Sequence, residues 1–424
     1  MSVRKLLFAL LLTPLFCFGT ADKSPADTLL EAARNGDVPS QLKVADQFFF
    51  GKNNRKVNPA LAAYWFRKAA DAGSPRGQFN YGICCLKGWG VPASSQTGFL
   101  WISKAAEQQL EEALIMQAEL LFRGLPEEDD PARSFPAMSA DPEKSLAILR
   151  KLFSSGSSSA AKSLAGLLLS DQKLRSQNAA ELRKCSEFAV RKMPLDIESV
   201  LMYSTVLQNG IGGNSDEKKA VELLHSISDF SPEAMARLSV IYEYGFSVPQ
   251  DRKKALELCR KAAKLGSPRA MFTLGTKYLE GDMVEHSLSK AVDFFKQSWS
   301  GGYPPAAAAL GKCFANGMGV DKNPEKAFDF FMQGAVAGDP EAQYHLGVCF
   351  SKAIGTAKNS AGAVHWFKAA SESGHPDAMR ELGISLIEGK GVKTDRSEGL
   401  RLLDAAASKG DVQAIEYLNG AKNI

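Results

Sequence analysis

The sequence SPEAMARLSVIYEYGFSVPQDRKKALELCRKAAKLG, residues 231–266, predicts two helices joined by a turn. The first, helix A, starts at Ser231, because a serine oxygen can accept a hydrogen bond from the first helical turn and the proline that follows has no N–H to satisfy. Gly245 ends helix A, and Asp251 can cap the second helix, helix B. Gly266 ends helix B, since glycine adopts the left-handed conformation without strain.

This unit recurs along the chain with a period of 36 residues in the C-terminal half. A repeat array grows without domain boundaries, so the length of 424 residues does not require several domains. Spacing predicts ten helix pairs and a final helix. The residues at the repeat position of Ala234 are Gln41, Gly77, Ala113, Ala160, Ser199, Ala234, Ala270, Ala306, Ala342, Ala378 and Ala414.

Three columns of equivalent residues predict the core of the array, since apolar residues at helical spacing mark a buried face. The leucine column is Leu238, Leu274, Leu310, Leu346 and Leu382. The small residues that follow, and that let a neighbouring helix approach, are Ser239, Gly275, Gly311, Gly347 and Gly383. The large apolar column is Tyr242, Tyr278, Phe314, Phe350 and Leu386.

The predicted organisation has four parts. Residues 1–21 are a signal peptide, 22–40 an N-terminal capping segment, 41–410 the repeat array and 411–424 a C-terminal capping helix. Residues 124–140 interrupt the array. They are rich in proline and acidic residues and cannot bury apolar area, so we expect a surface loop.

The N-terminal leader predicts export. Two basic residues precede the apolar run Leu6–Phe18, which is too short for an ordinary membrane span, and cleavage is expected near Ala21-Asp22. An uncleaved anchor is less favoured because Pro14 interrupts the run, and a lipoprotein is less favoured because a bulky phenylalanine precedes Cys17. The mature chain has no further segment apolar enough to cross a bilayer, and its expected location is the periplasm or the cell exterior.

Charge and motifs favour neither nucleic acid nor a cofactor as a ligand. The formal net charge of +4 falls to +2 without the two basic residues of the leader, and nucleic-acid binding usually needs a strong basic stripe. No histidine pair has the spacing of a zinc site, and no phosphate-binding glycine motif is present. We therefore predict that the protein binds no metal or cofactor, and we expect a monomer.

The cysteines of the mature chain show neither metal-ligand nor redox spacing. Exported proteins permit disulfides, but cysteines at equivalent positions of adjacent repeats are separated by a full helix spacing, about 8–10 Å, which is too long for a direct bond. Reduced apolar fillers are favoured over structural bridges, with both left open. The six are Cys84, Cys85, Cys185, Cys259, Cys313 and Cys349.

The columns resemble the Sel-1-like repeat family, a relative of the tetratricopeptide repeats. Residues 231–266 carry its alanine, leucine, tyrosine and glycine positions, and 317–320 and 389–392 match its Gly-x-Gly-Val turn. Trp65 and Trp366 match its helix-B aromatic. The resemblance implies a right-handed α/α superhelical solenoid that binds other proteins as an adaptor or assembly factor. The short leader and the compact array favour an exported, bacterial member of the family. The third and fourth pairs match poorly.

In this architecture helix A lines the concave side, and its non-core face predicts the binding surface. Three columns on this face vary between repeats, as a groove for one specific partner would, although an unconstrained solvent face would vary equally. The candidate residues for a protein or peptide partner are Arg237, Ile241, Tyr244, Lys277, Glu280, His345, Lys352, Glu381 and Glu388.

Two alternatives to a non-enzymatic scaffold stay open. A secreted serine hydrolase acting on β-lactams or cell wall would use a Ser-x-x-Lys motif, in which lysine activates the serine. Such motifs start at Ser159, Ser170 and Ser287, but none has the companion motifs of that class. An envelope assembly or stress regulator would differ from the scaffold only in having a membrane protein as its partner.

Overall fold

The computed structural model describes residues 25–53, 55–126 and 138–421. These residues form helices and no β-strand. In chain order the helices are α1 (Pro25–Arg34), α2 (Val38–Phe50), α3 (Pro59–Asp71), α4 (Pro75–Lys87), α5 (Ser95–Glu107), α6 (Glu111–Arg123), α7 (Pro142–Ser154), α8 (Ser158–Ser170), α9 (Gln172–Gln177), α10 (Ala179–Lys192), α11 (Ile197–Gln208), α12 (Glu217–Ile227), α13 (Pro232–Tyr244), α14 (Arg252–Lys264), α15 (Pro268–Glu280), α16 (Leu288–Ser300), α17 (Pro305–Asn316), α18 (Pro324–Val336), α19 (Pro340–Lys352), α20 (Ser360–Glu372), α21 (Pro376–Glu388), α22 (Arg396–Ser408) and α23 (Val412–Ala421).

The chain divides into two compact units, Met1–Lys192 and Met193–Ile424. The described part of the first unit holds α1 and the pairs α2/α3, α4/α5, α6/α7 and α8/α10. The second holds the pairs from α11/α12 to α21/α22 and the final helix α23. The predicted all-α repeat solenoid of helix pairs is therefore confirmed. The predicted signal peptide lies outside the described residues.

The helix boundaries follow the capping signals of the sequence. Ser231 Oγ accepts a hydrogen bond from Ala234 N at 3.2 Å, and Asp251 Oδ1 accepts one from Lys254 N at 2.9 Å. Gly245 ends helix α13 in the left-handed region at φ +74°. Helix α2 begins at Val38, three residues before the predicted start of the array.

The leucine column forms the buried seam of the second unit. Leu238, Leu310 and Leu346 are fully buried, as predicted. Every leucine of the column except Leu238 is followed by a glycine, which allows helix B to touch the helix-A backbone. A Cβ at Gly275 would lie 2.6 Å from the Phe295 ring, so no larger residue fits without a shift.

The large apolar column is half-buried rather than fully buried, because its rings lie at the edge between helix A and helix B. A helix-B lysine covers the outer face of several of them. Lys254 Nζ lies 3.9 Å from the centroid of Tyr242, and Lys290 Nζ 5.3 Å from that of Tyr278. The repeat pattern places the lysine and the aromatic ring next to each other, and each such pair forms a cation–π contact.

The third and fourth pairs depart from the pattern at their turns. The described ends of the predicted loop 124–140 pair with each other, since Leu125 N donates to Met138 O at 2.9 Å and Met138 N donates to Leu125 O at 3.0 Å. Residues 127–137, within that loop, lie outside the description. In the fourth pair Asp171 caps the short helix α9, which the sequence reading missed.

All six cysteines of the array are buried, and none of them forms a disulfide within the part of the chain that the structure describes. Burial raises the pKa of the Cys84, Cys259, Cys313 and Cys349 thiols to about 11 and that of Cys185 to about 12. These thiols are therefore protonated apolar fillers at neutral pH, in keeping with the favoured reading.

Candidate functional site

The predicted binding residues all lie on helices A of the second unit, on α13, α15, α19 and α21. Their three columns have three different environments, which the repeat pattern alone did not separate. One column is exposed, one is half-buried and bonds to neighbouring repeats, and one is buried.

The exposed column occupies the last residue of each helix A. Tyr244 is 63% exposed and stacks on Phe246, with the ring centroids 5.5 Å apart. The other members, Glu280, Lys352 and Glu388, are exposed as well. This column is open to a partner.

The buried column corrects the sequence reading. The sequence predicts Ile241 and Lys277 on the non-core face, but they are only 4% and 5% exposed. The reason is that successive helices A pack against one another and cover this column. Lys277 Nζ contacts Glu243 Oε1 at 2.6 Å and Asp282 Oδ2 at 3.4 Å, which links α15 to α13. Whether these two residues take part in binding stays a prediction.

The half-buried column connects neighbouring repeats through polar contacts. Arg237 Nε donates to Glu233 Oε1 at 3.1 Å, and Arg237 Nη1 donates to Leu201 O at 3.0 Å and to Thr205 Oγ1 at 2.8 Å in α11. From the next repeat, Arg269 Nε donates to the same Glu233 oxygen at 2.8 Å. One carboxylate therefore lies between two guanidinium groups.

A second cluster is centred on Glu341, at the same repeat position as Glu233. His345 Nε2 lies 3.2 Å from Glu341 Oε1, and His375 Nε2 lies 3.0 Å from Glu341 Oε2. Lys312 forms an ion pair with the same carboxylate. These contacts, that of His345 first, hold the pKa of Glu341 well below its ordinary value. His375 Nδ1 also caps α21 by accepting a hydrogen bond from Ala378 N at 3.3 Å.

We predict that Glu341→Gln lowers the free energy of unfolding near neutral pH by about 1 kcal/mol. Hydrogen bonds to charged groups contribute about 1.5–3 kcal/mol, and the 40% exposure of the Glu341 side chain reduces this. Because the folded-state pKa is depressed, the contribution is present above the ordinary value of 4.5 and is lost as the pH falls below it. Urea titrations across this range measure the difference.

The matched control is Glu372→Gln, since Glu372 is 67% exposed and lies 4.0 Å from Lys368. This control should change stability little at any pH. A constant loss from neutral to acid pH in Glu341→Gln would contradict the ionic origin of the effect.

We define the helix-A surface as the faces of the first helices of the pairs. Cavities recur along this surface at one position of the repeat. In the second unit, the Arg237 cavity, about 330 Å³, lies between α11, α12, α13 and α15, and the Lys312 cavity, about 300 Å³, between α15, α16, α17 and α19. In the first unit, the Arg76 cavity, about 370 Å³, lies between α2, α3 and α4. Three repeat positions line all three cavities. In the order of the Arg237, Lys312 and Arg76 cavities, they are occupied by Gln208, Leu279 and Phe50, by Arg237, Ala309 and Asn80, and by Val240, Lys312 and Ile83.

The sequence reading missed the partners of this surface, Glu233, Arg269 and Glu341. They share one column directly after the helix-starting proline, where an acidic residue is explained by the helix dipole alone. These partners could have been predicted from Arg269, because a cation in the first turn of a helix is unfavourable without a carboxylate partner.

The described residues lend no support to the hydrolase alternative. Ser170 Oγ donates to Leu167 O at 2.8 Å, and Ser287 Oγ accepts from Lys290 N at 3.4 Å, as helix-end contacts do. Within the described ranges, no group of three His, Cys, Asp or Glu side chains is placed to hold a metal ion. No helix in that part of the chain is long and apolar enough to cross a membrane.

Comparison with known proteins gives two kinds of likeness. A stretch of 73 residues is 41% identical to mouse DAP3-binding cell death enhancer 1, covering 17% of this chain and 14% of that protein. A protective antigen of uropathogenic Escherichia coli with an SLR fold is 23% identical, with a TM-score of 0.48 over 94% of this chain and 82% of the antigen. A Sel1 repeat protein from Oxalobacter formigenes is 20% identical, with a TM-score of 0.44 over 62% of this chain and 96% of that one.

The model of the Sel1 repeat matches the chain in eight places. The first two matched repeats lie in the first unit and the other six in the second, and residues 111–197, which hold the third and fourth helix pairs, are unmatched. The matches are residues 38–74, 75–110, 198–229, 232–267, 268–303, 304–339, 340–375 and 376–411. They cover well over half of the sequence, and the chain belongs to the Sel1 repeat family.

Proposed function

We propose that this protein is an exported, non-enzymatic scaffold that binds a protein or peptide on its helix-A surface. Membership of the Sel1 repeat family supports a protein–protein interaction scaffold. The observation that supports this binding surface is the recurrence of a cavity at equivalent repeat positions. Volumes near 300 Å³ lie at the low end of ligand pockets, which suits single side chains of a polypeptide.

Export is the second part of the proposal and is supported by the sequence of residues 1–21 alone. The expected destination is the periplasm or the cell exterior, with the mature chain acting as a monomer. A fusion of the leader to a reporter enzyme that is active only outside the cytoplasm tests export separately from binding.

We predict that filling one cavity weakens peptide binding without unfolding the protein. Peptides are selected from a random display library on the immobilised mature chain, and their affinities are measured by fluorescence anisotropy. Ala309 lines the Lys312 cavity, so Ala309→Phe should weaken the peptides seated there by at least about tenfold, or 1.4 kcal/mol.

The control is Ala361→Phe, the same substitution at an exposed position of helix B α20. It should leave these affinities unchanged, and circular dichroism checks that both variants fold. If the library yields no peptide, or if both variants and the parent bind every peptide equally, the helix-A surface is not the binding site.

A further inference from the structure

The Arg237 cavity combines an apolar floor with a cationic rim. Val221, Val240, Ile241 and Phe246 supply apolar lining, and Arg237 and Arg269 line it as well. Phe246 is 52% exposed. Its ring stacks on the exposed ring of Tyr244, and contiguous exposed apolar patches mark interaction sites.

The guanidinium groups of the rim are not saturated. Both arginines donate through Nε to one oxygen of Glu233, at 3.1 and 2.8 Å. Arg237 Nη1 is bound by Leu201 and Thr205. Arg237 Nη2 and both Nη groups of Arg269 have no hydrogen-bond partner among the described residues, and the Arg269 side chain is 40% exposed.

At the rim two guanidinium groups share one carboxylate, so their N–H donors outnumber the carboxylate oxygens that they contact. The other carboxylate of the cavity, Glu217, accepts a hydrogen bond from Ser247 Oγ at 2.6 Å and forms no ion pair with either arginine. Arginine has a planar set of donors that matches a carboxylate in a two-bond geometry. The guanidinium N–H groups that have no hydrogen-bond partner are therefore complementary to an additional carboxylate.

We infer that the Arg237 cavity binds an acidic peptide segment in which an apolar side chain enters the cavity and an adjacent carboxylate bonds to Arg269 and Arg237. This inference rests on the proposed function and specifies the chemistry of the partner. The apolar side chain gains from burial on the cavity floor, and the carboxylate selects acidic segments over basic ones.

Three display libraries test the inference on the full mature chain. Their peptides are identical in length and in random flanks, and differ only in a fixed central triplet: Glu-Leu-Glu, Lys-Leu-Lys or Glu-Gly-Glu. Selection should enrich the first library over both others. The affinities of the enriched peptides, measured by fluorescence anisotropy, should weaken as salt is raised, since exposed ion pairs are screened.

Charge reversal tests whether Arg269 binds the carboxylate of the peptide. Arg269→Glu should weaken the Glu-Leu-Glu peptides by at least about tenfold and favour Lys-Leu-Lys peptides instead. Arg269→Gln, which keeps a donor and avoids a second carboxylate beside Glu233, should give the same loss without the reversal. Arg260→Glu makes the same charge change on the exposed side of helix B α14 and should have no effect.

The outcomes separate this inference from the proposed function. Equal enrichment of Lys-Leu-Lys peptides, or affinities that Arg269→Glu and Arg269→Gln leave unchanged, would overturn the acidic specificity while peptides still bind at the cavities. If none of the libraries, including the unbiased one, yields a peptide sensitive to a cavity substitution, the proposed function fails together with the inference.

Discussion

Gly355→Ala should destabilise the protein by about 3–4 kcal/mol, far more than an ordinary glycine substitution. Gly355 has φ +66°, and a Cβ on it would collide with the carbonyl group of Pro324, at the start of α18 in the preceding repeat. Left-handed backbone costs a non-glycine residue about 1–2 kcal/mol, and overpacking adds about 1–3 kcal/mol. Backbone cannot move aside as a flexible side chain can, so the larger cost is expected.

The matched control is Gly338→Ala, because Gly338 has φ +85° but nothing within 4 Å of the added Cβ. It should cost only the backbone strain, about 1–2 kcal/mol. The melting temperatures of both variants, followed by circular dichroism, give the comparison. Equal shifts would show that the contact with Pro324 does not constrain the turn.

Glu243→Ala should cost about 3–5 kcal/mol, the second large effect. Lys277 and Glu243 have side chains that are only 6% and 11% exposed, and their charged atoms lie 2.6 Å apart. Removing one partner of a buried ion pair leaves the other charge uncompensated. Asp282, 3.4 Å from Lys277 Nζ and more exposed, can replace only part of the contact.

The double variant Glu243→Leu with Lys277→Met should recover most of the loss, since apolar side chains of similar size can replace a buried pair. The exposed pair Glu398–Arg401 provides a control, and Glu398→Ala should change stability by less than about 1 kcal/mol. Denaturant titrations measure all three variants. A double variant no more stable than Glu243→Ala would contradict the buried-pair explanation.

The same variants separate the two roles open to Lys277. If the double variant is as stable as the parent and still binds the selected peptides, Lys277 is a structural residue of the array. If it folds but loses those peptides, Lys277 also acts in binding. A charge reversal at Lys277 alone could not decide this, because it would destabilise the fold as well.

The sequence was sufficient to predict the structural features that form within a single repeat. Ser231, Gly245 and Asp251 act within one helix pair, and their roles depend on backbone hydrogen bonds a few residues away. Gly275 was predictable too, because the helix that it admits belongs to the same pair. Local chemistry and a strict period were sufficient for these features.

What the sequence could not provide is the contact between one repeat and the next. Ile241 and Lys277 occupy the outer face of an isolated helix pair, and only the packing of successive helices A buries them. Glu233 acquires its role from Arg269, 36 residues further along the chain. The sequence could therefore name the helices that hold the candidate residues, while the arrangement of those residues depends on how successive helices A stack.

The buried thiols give the protein an internal set of reporters. They are distributed along the array, at Cys84, Cys185, Cys259, Cys313 and Cys349 among others, and each of them is buried. A thiol reagent can reach one of them only when that repeat opens, so reaction rates at single cysteines would record sub-global opening along the chain. A ligand held across several helix pairs would slow this exchange at the repeats that it bridges, and the pattern of slowed sites would locate it.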